Sequence, residues 1–239
     1  MDAYGRQIRA TTTGADVTDQ DPSPHQPAQA LFDVLGLAYE EAFADSPAHL
    51  ASLRWLLAEL APASRVLDVG SGTGRPTAAT LRAAGHDVLG VDISPVMVEI
   101  ATRQVPGAEF RCADIRSVPL GTAAYDAVCV YFALLQMSRD EQARLVARLA
   151  HALKPGGRMV LATVPVDAED VDVVFMDQPV RATSFARDDV VTLVTSAGLT
   201  VRAEQNLMFT PARPGAEPEP HLFLYCVREE ERAAGAVNG

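Results

Sequence analysis

A single lysine, Lys154, stands in a chain of 239 residues, and no Gly-Lys-Ser/Thr triplet surrounds it, which excludes the phosphate loop of the nucleoside triphosphatases. Basic side chains are scarce altogether, with 20 Lys and Arg against 31 Asp and Glu and a formal net charge of −11. A nucleic-acid binder needs a basic stripe to neutralise phosphates, and the scattered arginines supply none, so no nucleic-acid partner is expected. Cysteine is sparse too. Cys112, Cys129 and Cys226 fall in apolar, strand-like runs without metal-type spacing, so they read as buried small hydrophobes and imply no disulfide framework. The histidines, His25, His49, His86, His151 and His221, are scattered and form no His-Glu-x-x-His pattern, so no metal is expected; His86 and His151 read as surface residues. No apolar stretch is long enough to span a bilayer, and Met1 to Arg6 lack the apolar core of a signal peptide. A cytoplasmic protein without a membrane partner is expected.

What the chain does have lies between Val66 and Gly74: Val-Leu-Asp-Val-Gly-Ser-Gly-Thr-Gly, followed by Asp87-Val-Leu-Gly-Val-Asp92. Val66, Leu67 and Val69 form the short β-rich run of a strand buried on both faces, and the glycines follow at once. Glycines here let the backbone turn at positive φ and bring main-chain N–H groups against a ligand. The spacing fails the dinucleotide fingerprint, because Gly-x-Gly-x-x-Gly/Ala counted from Gly70 needs a small residue at Arg75, and counted from Gly72 at Thr77. Pro76 suits the first turn of a following helix.

The observed Asp68-x-Gly70-x-Gly72-x-Gly74 resembles motif I of the class I S-adenosylmethionine (SAM)-dependent methyltransferases, in their small-molecule branch. The resemblance runs in order over roughly residues 64 to 165. It implies that Asp92, an acceptor-only carboxylate, takes both ribose hydroxyls, with Ile93 beside it, and that Met97 packs next to the adenine. Ala113-Asp114-Ile115 resembles the motif whose Asp takes the adenine amino group. Tyr125 to Val130 and Leu153-Lys154-Pro155-Gly156-Gly157 look like the fourth strand and the turn before the fifth. Read from the residues alone, Asp114 is also an ordinary turn residue, Met97 an ordinary core residue, and Asp126 structural. The base-modifying branches carry an Asn/Asp-Pro-Pro-Tyr/Phe-like motif after the fourth strand, and Tyr131-Phe132-Ala133-Leu134 departs from it.

Helices alternate with strands from Arg65 onward, which implies an α/β fold with a mostly parallel sheet and helices on both faces. The resemblance refines this to a three-layer sandwich with seven strands, the last antiparallel. Residues 1–30 read as a flexible arm, residues 31–232 as a single domain and residues 233–239 as a tail. Within the domain, Leu31 to Phe43 and Pro47 to Leu60 read as two N-terminal helices, the second capped by Ser46. Ser138-Arg139-Asp140-Glu141 is a capping-box start for a helix reaching about Leu153. Residues 165–184 interrupt the alternation with Asp167, Glu169, Asp170, Asp172 and Asp177 among apolar residues; a lid and a plain surface hairpin both fit. Pro211 to Pro220 then link the last two strands.

The resemblance implies methyl transfer from SAM, with S-adenosylhomocysteine (SAH) as product, to an oxygen or nitrogen of a small molecule, conceivable in a natural-product pathway. A SAM-fold catalyst of cyclisation or rearrangement, and a SAM-binding protein without turnover, are the alternatives. Alignment of the acceptor carries most of the chemistry, and a base is needed only for a protonated acceptor. His221, at the start of the last strand, and Tyr131, ending the fourth beside the expected methyl group, are the candidate catalytic residues, Tyr131 doubling as cofactor wall. The acidic, apolar insertion suggests an uncharged or cationic acceptor. Oligomeric state is left open.

Overall fold

The computed structural model describes residues 27–229. Seven strands form one sheet: β1 (Arg65–Val69), β2 (Asp87–Asp92), β3 (Glu109–Cys112), β4 (Tyr125–Tyr131), β5 (Leu153–Thr163), β8 (Leu199–Phe209) and β9 (Glu219–Arg228), in the spatial order β3-β2-β1-β4-β5-β9-β8. β9 runs antiparallel between β5 and β8, and the pairs among β1 to β5 are parallel. The order reverses between β1 and β4, so the carboxyl ends of these two strands open a crevice where a ligand can enter an open α/β sheet.

Strand alternation feeds two cores. Leu67, Val69, Val128, Val130, Met159, Leu161, Leu222 and Leu224 face one layer, closed by α6 (Arg139–Ala152) and α7 (Arg187–Ser196). Val66, Ala127, Cys129, Val160, Ala162, Phe223 and Tyr225 face the other, closed by α3 (Pro47–Glu59) and α4 (Thr77–Ala83). β1, β4, β5 and β9 are therefore apolar on both faces, which is why β1 and β4 read as continuous runs rather than as alternating ones. α5 (Pro95–Gln104) fills the connection from β2 to β3. Its N-cap is Ser94, whose Oγ accepts from Met97 N at 3.1 Å, and the N-cap of α3 is Ser46, which accepts from His49 N at 3.3 Å.

Several local expectations change. Leu31 to Phe43 is two helices, α1 (Ala28–Leu35) and α2 (Leu37–Phe43), because Gly36 at φ +47° breaks the run. α1 starts at Ala28, so the last residues assigned to the arm are helical, while residues 1–26 and the 233–239 tail lie outside the described residues. Pro76 precedes α4 instead of opening it. Cys112 is exposed on the edge strand β3, whereas Cys129 and Cys226 are buried. His86 is buried rather than on the surface, its Nδ1 among the buried atoms without a partner. The segment after β5 is a separate antiparallel hairpin of β6 (Ala168–Phe175) and β7 (Gln178–Ser184). Asp126 is structural: it accepts from Arg65 N and from Lys154 Nζ, both at 2.8 Å, tying β1 to the turn before the paired part of β5.

α6 begins with the capping box, Ser138 Oγ and the Glu141 carboxylate each satisfying the other's backbone N–H. Ser138→Ala should lower stability by about 1 kcal/mol in urea denaturation. A second stability prediction follows from Asp68 in β1, which is 2% exposed and whose Oδ2 has no partner among the described residues. Burial, and after it the charge of Asp92, pushes its carboxyl up to about 8. The folded chain then holds a proton that the unfolded chain releases near the ordinary value of 3.8, so stability of the cofactor-free protein falls as pH rises between 3.8 and about 8. Asp68→Asn should flatten that slope in denaturation curves taken across the window.

Candidate active site

The glycine-rich loop leaves β1 and is tied to the end of β2, with Gly70 N and Ser71 N donating to Val91 O at 2.8 and 3.2 Å. Gly70 (φ +66°) leaves no room for a side chain, since a Cβ there would lie 2.5 Å from that of Ala133. Gly72 (φ +51°) is the opposite case. Nothing lies within 4 Å of where its Cβ would stand, and the residue lines the main cavity. Its N–H donates to Asp92 Oδ2 at 2.8 Å, while Ser94 N donates to Asp92 Oδ1 at 2.9 Å. Each carboxylate oxygen therefore carries at least one backbone N–H, and the pair keeps lone-pair capacity for further donors. Burial raises the Asp92 carboxyl, and the N–H groups of Ser94, Gly72 and Ile93 oppose that rise.

The cavity, of about 230 Å³, brings together Gly70, Gly72, Asp92, Ile93, Met97, Asp114, Ile115 and Tyr131. Asp68, Gly74 and His221 are not among its lining residues. Asp68 is a strand residue behind the loop. Gly74 serves packing, because a Cβ there would crowd Val105, Phe110 and Ala101 at 3.0 to 3.3 Å. Asp114 lines the wall with its carboxylate already engaged by Arg116, which also pairs with Glu141 and holds the Asp114 carboxyl below its usual range.

Away from Asp92 the cavity becomes apolar and aromatic. α1 and α2 contribute Leu31, Phe32, Tyr39 and Phe43, and the hairpin contributes Val171, Val173, Phe175, Val180 and Ala182. Tyr39 packs tilted against Phe43 at 4.9 Å, and Phe43 stacks on Phe175 at 6.0 Å, so helices and hairpin meet as one roof. The hairpin base is fixed by Thr183 N to Leu135 O at 2.7 Å and by Gln142 Nε2 to Thr183 O at 3.0 Å. The roof is also anchored beside the loop, with Ser94 Oγ donating to Asp33 Oδ1 at 2.6 Å.

The insertion's acids do not form an acidic wall. They lie on the outer face and pair with arginines: Asp167 and Glu169 with Arg139, Asp170 and Asp172 with Arg181, Asp177 with Arg213. Alternation in β6 turns Val171, Val173 and Phe175 inward instead.

Tyr131 presents its ring to the cavity, but its hydroxyl turns away to Ser52 Oγ at 2.7 Å. Ser52 gives its own proton to His49 O at 2.7 Å, so Tyr131 is the donor of the pair. Burial holds the phenol well above its usual range, and its proton faces α3 rather than the cavity. His221 is 1% exposed, packed against Phe132 at 4.4 Å and Phe209 at 5.2 Å. Its Nε2 lies 2.8 Å from Oε1 of Glu219, and Glu219 is the residue that lines the cavity. The sequence reading missed Glu219, although a period of two along the strand puts it on the face of His221.

Comparison with known proteins agrees with this geometry. Residues 66–157 match the family model described as methyltransferase domain. An O-methyltransferase, cnsE, of Penicillium expansum is 31% identical over 180 residues, 69% of this chain and 61% of that protein. A demethylmenaquinone methyltransferase of Renibacterium salmoninarum is 34% identical over 101 residues, 42% of this chain and 41% of its own. The chain thus spans less than two thirds of these relatives. Among solved structures, the 1,6-didemethyltoxoflavin-N1-methyltransferase of Burkholderia thailandensis, with its substrate and SAH bound, superposes with a TM-score of 0.65 at 21% identity, over 88% of this chain and 94% of that one. A SAM-dependent methyltransferase from Methanosarcina mazei gives 0.62 at 17% identity, over 73% and 96%. The likeness to a methyltransferase domain thus lies in residues 66–157, which hold the glycine loop and Asp92, and the fold is that of the SAM-dependent methyltransferases.

Proposed function

We propose that the chain transfers a methyl group from SAM to an oxygen or nitrogen atom of a small, largely apolar molecule. The observation that carries this reading is the continuity of one cavity from the Gly72–Asp92 cradle to the aromatic chamber under α1, α2 and the hairpin. In this reading Asp92 takes the ribose hydroxyls on its remaining lone pairs, Gly70 and Gly72 let the loop approach the cofactor, and Ile93, Met97 and Ile115 pack the adenine. Asp114, fixed by Arg116, accepts from the adenine amino group, and Asp68 and Gly74 act from behind the loop. Bound SAM supplies a methyl group on a sulfonium sulfur that leaves as a neutral thioether, so what the protein adds is alignment and exclusion of water.

The roof of Leu31, Phe32, Phe43, Val173 and Phe175 closes the chamber and suits a hydrophobic acceptor. An uncharged or cationic acceptor remains the expectation, though not because of the insertion's acids, which are paired on the outer face. The names of two similar proteins, an O-methyltransferase and an N1-methyltransferase, support either atom.

Calorimetry with SAH tests the cofactor end. Asp92→Ala removes two charge-assisted acceptor positions and should weaken binding by roughly 2–4 kcal/mol. Gly72→Val, which fills the open space at a positive φ, should abolish binding with an unchanged circular dichroism spectrum. Wild-type affinity in both variants would overturn this assignment. Binding of SAM without SAH release against any acceptor would instead favour a protein that holds the cofactor without turnover.

A further inference from the structure

Glu219 opens β9, the strand inside the edge strand β8, four strand positions from β2, and at about 4.8 Å per strand that is roughly 19 Å from the backbone of Asp92. It is the acidic side chain at the far end of the cavity, with Asp92 and Asp114 at the other. Rings crowd around the pair it forms: Phe132, Phe209 and Phe43 lie 4.4, 5.2 and 6.5 Å from the His221 ring. Tyr39 sits between the two ends, its hydroxyl raised by burial first and then by the charges of Glu219 and Asp92.

The geometry of His221 fixes what it does. Its Nδ1 is buried without a partner, so the arrangement that strands no donor puts the ring proton on Nε2, which gives it to Glu219 Oε1 at 2.8 Å. One carboxylate oxygen is thereby occupied and oriented by a side chain that cannot move within its aromatic cage. The other oxygen is left to the cavity. A buried histidine bonded to a half-buried glutamate at this apolar end of the chamber is costly to keep for packing alone, since Phe or Leu would fill the same space.

We propose that Glu219 is the base that faces the acceptor, that His221 is its positioning residue, and that the acceptor is a planar, uncharged molecule whose reacting atom is an aryl or enolic O–H or a ring N–H. This rests on the methyltransferase reading above. The proton passes from the acceptor O–H or N–H to the free Glu219 oxygen. The electron pair of that bond stays on the acceptor atom, which takes up the methyl group, while the sulfur keeps the pair of the S–CH₃ bond. The carboxylic acid then returns the proton to solvent. Flatness follows from the stacked rings of Phe43 and Phe175 in the wall, and neutrality from a chamber whose lining arginines, Arg116 and Arg181, are spent on Asp114 and Glu141 and on Asp170 and Asp172.

The test is SAH release by the full chain with SAM and a panel of aryl hydroxyl compounds and ring N–H heterocycles of graded acidity, with aryl carboxylates as controls. Turnover should favour the first two classes. Glu219→Gln, close to isosteric, should lower kcat by about 10²–10⁴-fold with little change in KM or in SAH affinity by calorimetry. The loss should be greatest for the least acidic acceptors. His221→Phe, which fills the cage but offers no donor, should lower kcat by roughly tenfold, and His221→Gln, whose amide can donate in place of Nε2, should recover part of it. Undiminished kcat in Glu219→Gln, a loss that ignores acceptor acidity, or preference for the carboxylates would overturn the proposal. Failure of the whole panel with SAH still bound would also overturn it and leave the cofactor assignment standing, whereas failure to bind SAH would remove both.

Discussion

The carboxylate of Asp92 is the joint on which the site depends. One oxygen holds the glycine loop through Gly72 N, the other holds the start of α5 through Ser94 N, so two connections that leave different strands are set by a single side chain. Neither loop has regular structure of its own, and both must present backbone to a ligand. A charge buried to 8% exposure is stabilised only while these N–H groups stay in place, so the clamp works in both directions. The loop fixes the charge, and the charge fixes the loop. The close approach of Ala133 to Gly70 completes the arrangement from the β4 side.

The Gly72–Asp92 end of the cavity was legible in the sequence because it is local. A strand, a turn of glycines and an acid at the end of the next strand are each encoded within a few residues, and parallel pairing of β1 with β2 does the rest. Helix starts were legible for the same reason, Ser94 and Ser138 being side chains that cap their own neighbours. Gly36 was present in the sequence but hidden inside an apolar run, where periodicity alone reads through a break.

The acceptor half was less legible because it is assembled from segments distant in sequence. His221 was picked out by its position in a strand, yet it reaches the cavity only through Glu219, a partner two residues earlier that composition does not mark. The hairpin acids suggested an anionic wall. Arginines at 139, 181 and 213, two of them outside the hairpin, neutralise that wall on its outer face, and only the pairing in space reveals which side chains are left to face a ligand. Tyr131 likewise looked exposed to the acceptor from its location, and its hydroxyl is instead turned to Ser52, 79 residues earlier.

Ser94 serves two clients. It caps α5, and its hydroxyl proton goes to Asp33 on α1, so the covering helix is registered against the very turn that carries Met97. A covering element bonded to the turn beside Asp92 shares a free-energy term with it: whatever orders one lowers the cost of ordering the other. Such coupling is reciprocal, so the glycine-loop end of the cavity and the chamber beneath α1 cannot be loosened independently of each other.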